Sequence, residues 1–152
     1  MNLKRFNLVP LLAAGIFIFS SASFSGQAVA KDNNVTVNIS SMGEQMMYNM
    51  KDISVPANST VTVVFENKSS SLKHNWVLTE KGAGDKVAMD GMSAGEAKSY
   101  VKKGDKVIAY TKLGDPGKKV KVTFKAPKKG TYDYVCTSPG HNMIMKGKFV
   151  VK

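Results

Sequence analysis

One cysteine and two histidines are the only residues of their types in this 152-residue chain. Cys136 and His141 share a short stretch, Cys136-Thr137-Ser138-Pro139-Gly140-His141-Asn142-Met143-Ile144-Met145, in which four residues separate Cys from His and three separate His from Met145. Thiolate, imidazole and thioether form a soft to borderline ligand set, which selects copper over magnesium, calcium or manganese. The second histidine, His74, supplies the imidazole that completes a trigonal His2Cys arrangement with a weak axial Met, the set of electron-transfer copper. Taken singly, each residue has an ordinary reading. A lone buried Cys is usually a small hydrophobe, a loop His is usually solvated, and Met is usually core filler, the expectation for most of Met42, Met46, Met47, Met50, Met89 and Met92. The joint spacing carries the metal reading.

Zinc also accepts Cys and His, but thioether is a poor fourth ligand for it. Hydrolysis wants a general base beside the metal, and residues 136–145 hold no carboxylate. No strand-to-helix nucleophile setting or oxyanion arrangement surrounds Cys136, so thiol catalysis has no support.

Bringing these side chains together requires a rigid frame. Strand-like runs occupy residues 35–39, 61–65, 75–79, 106–110, 120–124, 132–136 and 148–151, separated by turn chemistry such as Pro56-Ala57-Asn58-Ser59 and Gly114-Asp115-Pro116-Gly117. Short runs with turns at this density predict an all-β antiparallel sandwich or barrel. On such a frame Tyr132, Tyr134 and Cys136 face the core from one strand. Cys136 closes that strand, and a tight Ser-Pro-Gly loop returns His141 and Met145 to the same pole. Residues 84–101 lack alternation and predict a short helical excursion packed over one side.

The chain opens with Lys4 and Arg5, continues apolar from Phe6 to Phe19, and reaches Ala28-Val29-Ala30, the layout of a secretory signal peptide over residues 1–30. The open alternative is a retained membrane anchor, since no charge stands between Arg5 and Lys31. Residues 31–152 suit one domain with one core. They carry twenty Lys against eleven Asp and Glu, a net +9, with no Arg. Without guanidinium groups, bidentate reading of phosphate or guanine is disfavoured, and no nucleic-acid partner is expected. The lysines suit a solvated surface that steers toward an acidic partner or an anionic membrane face. A single Cys makes no internal disulfide.

His74-Asn75-Trp76-Val77-Leu78, Asp90-Gly91-Met92, residues 107–113 and residues 136–147 resemble the azurin and auracyanin branch of the cupredoxins, and the similarity spans most of residues 31–152. The resemblance implies a Greek-key β-sandwich of about seven to eight strands. It makes His74, Cys136 and His141 equatorial ligands of one copper ion and Met145 the axial one. It further implies that Asn75 braces Thr137, that backbone N–H groups near Asn75 and Ser138 face the thiolate, and that Leu72, Pro139, Met143 and Ile144 rim a docking patch around His141. Three features depart from azurins: Lys73 replaces the glycine whose carbonyl lies near the metal, the disulfide is absent, and Ser138 replaces a bulky apolar residue. The implied function is that of a periplasmic or extracytoplasmic one-electron carrier, not an enzyme, serving redox partner proteins that are acidic at the docking face. The alternative is a copper buffer or delivery protein in the same compartment.

Overall fold

Alternation of β-branched and polar residues dictates the central strand. Thr60–Glu66 sends Val61, Val63 and Phe65 inward, all fully buried, and its threonines outward. The computed structural model describes residues 33–152, and the expected signal segment 1–30 lies outside them. The described residues hold β1 (Asn34–Met42), β2 (Gln45–Tyr48), β3 (Asp52–Val55), β4 (Thr60–Glu66) and β5 (Val77–Thr79), then the helix α1 (Gly84–Met92). After it come β6 (Val107–Tyr110), β7 (Lys119–Lys125), β8 (Gly130–Val135) and β9 (Lys146–Val151).

The strands form two sheets, ordered β2-β1-β4-β7 and β3-β9-β8-β5-β6. This is an all-β, cupredoxin-like sandwich with one short helix, and it has nine strands among the described residues where seven to eight were expected. It is also mixed rather than antiparallel throughout. β1 runs parallel to β4 and β3 runs parallel to β9, because each pair is joined through a crossover between sheets rather than a hairpin.

Side chains from both inner faces interdigitate. Trp76 is fully buried and stacks near Phe124, Tyr134 and Phe149 at centroid distances of 6.1, 5.8 and 6.2 Å. Burying residues of this size contributes about 1.5–3 kcal/mol each. A second cluster, Val77, Val87, Val101 and Val135, pins α1 and the following loop onto the outer face of the second sheet. The core-filler reading fails for three methionines: Met42, Met89 and Met92 are 44%, 65% and 51% exposed. Met42 ends an edge hairpin, and Met89 and Met92 sit on the solvent side of a helix that buries Val87, Ala88 and Gly91 instead.

Candidate metal centre

β8 delivers the cysteine. Tyr132 and Tyr134 face the core, Val135 is the last strand residue, and Cys136 lies one step beyond, fully buried. Its N–H donates to the Met145 carbonyl at 2.9 Å, the Met145 N–H donates to the His141 carbonyl at 2.8 Å, and the His141 N–H donates to the Ser138 carbonyl at 3.0 Å. Gly140 adopts φ 79°, a left-handed conformation open to glycine, which lets the chain fold back within so few residues. The loop therefore closes on itself before β9 begins.

His74 arrives from the other side through an isolated bridge to Gly114, with the Gly114 N–H donating to the His74 carbonyl at 2.8 Å. Buried Asn67 fixes the approach: its Nδ2 donates to the carbonyls of Leu72 and Gly114 at 2.7 and 2.9 Å. Glu44, in the β1–β2 turn, accepts hydrogen bonds from the hydroxyls of Ser69, Ser70 and Ser71 and from the Ser70 N–H. Those donors, the Ser70 N–H first, hold its carboxyl down at about 2.

The three side chains meet at one pole. His74 Nδ1 and His141 Nδ1 are 3.0 Å apart, and Cys136 Sγ lies 3.8 Å from the first and 3.6 Å from the second. Bonds of about 2.0 Å to nitrogen and about 2.3 Å to sulfur, as first-row ions make them, place N and S about 3.7 Å apart in a trigonal plane. The observed sulfur–nitrogen separations match that spacing. Buried His74 Nε2 has no hydrogen-bond partner among the described residues, so the ring is held by packing and by what its Nδ1 faces. Met145 is fully buried in the same core cluster as Cys136.

Electrostatics favour metal over protons at the nitrogens. Burial, and then the neighbouring His141, lower His74 to about 4, and burial lowers His141. Both rings are neutral at pH 7 and present lone pairs. Burial pushes the Cys136 thiol up, opposed by the backbone N–H groups of Asn75 and Ser138 directed at the sulfur. Those two dipoles stabilise the thiolate once a cation is present.

Asn75 ties the two ligand loops together. Its Oδ1 accepts from the Thr137 N–H at 2.9 Å, its Nδ2 donates to Thr137 Oγ1 at 2.8 Å and to the Ser99 carbonyl at 2.7 Å, and its own carbonyl accepts from Tyr48 at 2.6 Å. Ser138 Oγ donates to the Lys73 carbonyl at 2.8 Å, while Lys73 Nζ pairs with Glu96 and Asp115 at 2.6 and 3.1 Å. Around half-buried His141, an open cavity of about 320 Å³ is lined by Leu72, Tyr100, Leu113, Ser138 and Pro139, among others. Met143 and Ile144 are 71% and 55% exposed and lie outside that lining.

Glu44, Asn67 and Ser99 are supporting residues that the sequence reading did not single out. Glu44 and the serines are 25 to 27 residues apart, and nothing local links them. Ser99 offers only a backbone carbonyl, which any residue type provides.

Comparison with known proteins agrees with this geometry. The family model described as copper binding proteins, plastocyanin/azurin family, matches residues 35–152. The chain is 42% identical to Auracyanin-A of Chloroflexus aurantiacus over 121 residues, covering 77% of this chain and 74% of that protein. It is 40% identical to an azurin of Pseudomonas chlororaphis over 118 residues, covering 72% of this chain and 92% of the azurin. The solved structure of auracyanin A, a "blue" copper protein of C. aurantiacus, superposes with a TM-score of 0.76 at 40% identity, covering 79% of this chain and all of that one. A donor set of two imidazoles and a thiol, converged at the end of a mixed two-sheet sandwich, thus coincides with similarity along the whole domain: the chain belongs to the plastocyanin/azurin family of copper binding proteins.

Proposed function

We propose that this protein is an exported one-electron carrier, in which His74, Cys136, His141 and Met145 would hold a single copper ion. The observation that carries the reading is the convergence of the three ligand atoms, all within 4.8 Å of one another, in a pocket where His74, Cys136 and Met145 are fully buried. A bound copper ion supplies the Cu(II)/Cu(I) couple. The chain's part is to hold two imidazoles and a thiolate fixed through both states, which the Asn75 bracket and the loop hydrogen bonds do. The ring of His141, half-buried at the floor of the open cavity, offers the contact edge for a redox partner protein. Leu72 and Pro139 border that edge, with Met143 and Ile144 further out as apolar docking surface.

Burial of the ligands suits retention of the ion rather than hand-over. No histidine or cysteine remains elsewhere in the chain to build a second, catalytic metal site, so an electron carrier is favoured over an enzyme. Export rests on residues 1–30, whose charged start, apolar stretch and Ala28-Val29-Ala30 end suit cleavage and release outside the cytoplasm.

A redox titration of the copper-loaded 31–152 protein tests the proposal. The expected result is reversible one-electron behaviour with one copper retained per chain through repeated cycles. Loss of copper on reduction would instead identify a buffer or delivery protein.

A further inference from the structure

Seven of the described acidic residues are spent on lysine partners: Lys73 takes Glu96 and Asp115, Lys86 takes Asp90, Lys106 takes Asp105, Lys119 takes Glu66, Lys146 takes Asp85 and Lys148 takes Asp133. One concave surface receives none of them. A groove of about 660 Å³ between the loop after α1 and the end of β6 is lined by Lys98, Lys102, Lys103 and Lys112, with Tyr110 and Val101 in its walls and no carboxylate in its lining. All four lysines are exposed, and none pairs with a carboxylate among the described residues. The nearest acids in sequence are engaged elsewhere, Glu96 on Lys73 and Asp105 on Lys106.

The other lysine-rich element has a plainer purpose. β7 lies at the edge of its sheet, where Lys119, Lys121 and Lys125 guard against strand addition. The groove lysines lie on no strand, so edge protection does not account for them.

The groove is also joined to the metal loops. Ser99 lines it, and the Ser99 carbonyl accepts from Asn75 Nδ2 at 2.7 Å and Thr137 Oγ1 at 3.4 Å, the residues that follow His74 and Cys136. Ser99 and Tyr100 both hold left-handed φ angles, 59° and 52°, without being glycine. Such backbone persists only where its surroundings over-determine it. Here the Leu113 N–H donates to Ser99 Oγ at 2.9 Å, and the Tyr100 carbonyl packs against Gly91, where any Cβ would collide with it. Next to the lining residue Ser93, exposed Met92 and, one turn back, Met89 offer apolar contact of the kind enriched at protein interfaces.

Resting on the carrier reading, we propose that this flank groove is a docking surface for an acidic segment of a redox partner protein, separate from the apolar rim of His141. Lysines without arginine favour carboxylates met as point charges over bidentate phosphate, and a concave site suits a protein segment better than a flat bilayer.

The test is a titration of 15N-labelled, Cu(I)-loaded 31–152 protein with a deca-glutamate peptide at low salt, followed by amide NMR shifts. Shifts are expected over residues 98–103 and at Lys112, with at least about tenfold weaker binding in 0.3 M salt. A Lys98→Gln, Lys102→Gln, Lys103→Gln, Lys112→Gln variant should lose them. A control of equal net charge, Lys118→Gln, Lys121→Gln, Lys128→Gln, Lys129→Gln, should keep them. Shifts centred on β7, equal losses in both variants, or binding to phosphatidylglycerol vesicles but not to the peptide would overturn the proposal. None of these outcomes depends on the visible spectrum or redox behaviour of the loaded protein, so failure of the groove and failure of the carrier reading are separately visible.

Discussion

Asn75 makes four hydrogen bonds at once, three of them buried (two with Thr137 and one from Tyr48) and a fourth, part-buried, to the Ser99 carbonyl. Truncation removes the side-chain partners and leaves the buried Thr137 N–H unsatisfied, a full desolvation penalty rather than the loss of one net bond. Asn75→Ala should therefore destabilise the protein by about 3 kcal/mol in urea unfolding. A cost below about 1 kcal/mol would show that the bracket is solvated and does not brace the site. Ser138→Ala removes the bond to the Lys73 carbonyl and the hydroxyl's contact with the Cys136 sulfur, so about 1 kcal/mol is expected, with the fold intact. Because that hydroxyl fixes the carbonyl of the residue before His74, the reduction potential should also move. Glu44 gives a pH signature. Its carboxyl is held at about 2 against an ordinary 4.5, so its contribution is present above pH 4.5 and is lost as pH falls toward 2. Thermal melts between pH 5 and 3 should fall less steeply for Glu44→Gln than for the parent, and parallel curves would show that the serine clamp is not formed in solution.

At the scale of elements, Gly147 makes room for the Tyr134 ring across the β8–β9 ladder. A Cβ on Gly147 in β9 would run into the ring and hydroxyl of Tyr134 and the Lys51 carbonyl. Gly147→Ala should cost about 1–3 kcal/mol by denaturant unfolding, because neither the ring nor the backbone has room to yield. This strand begins directly after Met145, so the Lys-Gly pair that follows the methionine has a packing reason: it lets β9 lie flat on Tyr134. Strands with long alternation were legible beforehand. β4, β7 and β8 appear where Val61 to Phe65, Val120 to Phe124 and Tyr132 onward alternate or bury. β2 and β3 were not, four residues each in a stretch whose methionines and polar residues give no β-branched run. Asn75 and Trp76 read as strand but precede β5, since the Trp76 N–H goes to the Thr111 hydroxyl rather than to a ladder partner. The His74, Cys136 and His141 cluster was legible because Cys136 and His141 are close in sequence and His74 is the one other histidine. The parallel pairings and the Glu44 and Ser99 contacts span distant residues, and no local pattern encodes them.

For the molecule as a whole, the frame is built without the metal. Core residues such as Val61, Val63, Phe65, Trp76 and Phe149 are fully buried by contacts among themselves. The copper-free protein should keep its β-sheet circular dichroism and unfold cooperatively, with a lower Tm than the loaded form, since a ligand that binds only the folded state stabilises it by mass action. Loss of sheet signal on copper removal would place the metal within the folding unit instead. Twenty lysines against eleven acids give the domain a net +9, six of the described lysines are paired with carboxylates, and the flank groove gathers four of the unpaired ones on one concave surface.

The most direct test is the visible absorption of the Cu(II)-loaded 31–152 protein beside its Cys136→Ser variant. The predicted result is an intense thiolate-to-copper band in the parent, bleached by one reducing equivalent, and its absence in a variant that remains folded. Equal colour in the two proteins, or no intense band in the parent, would contradict a copper centre built on Cys136.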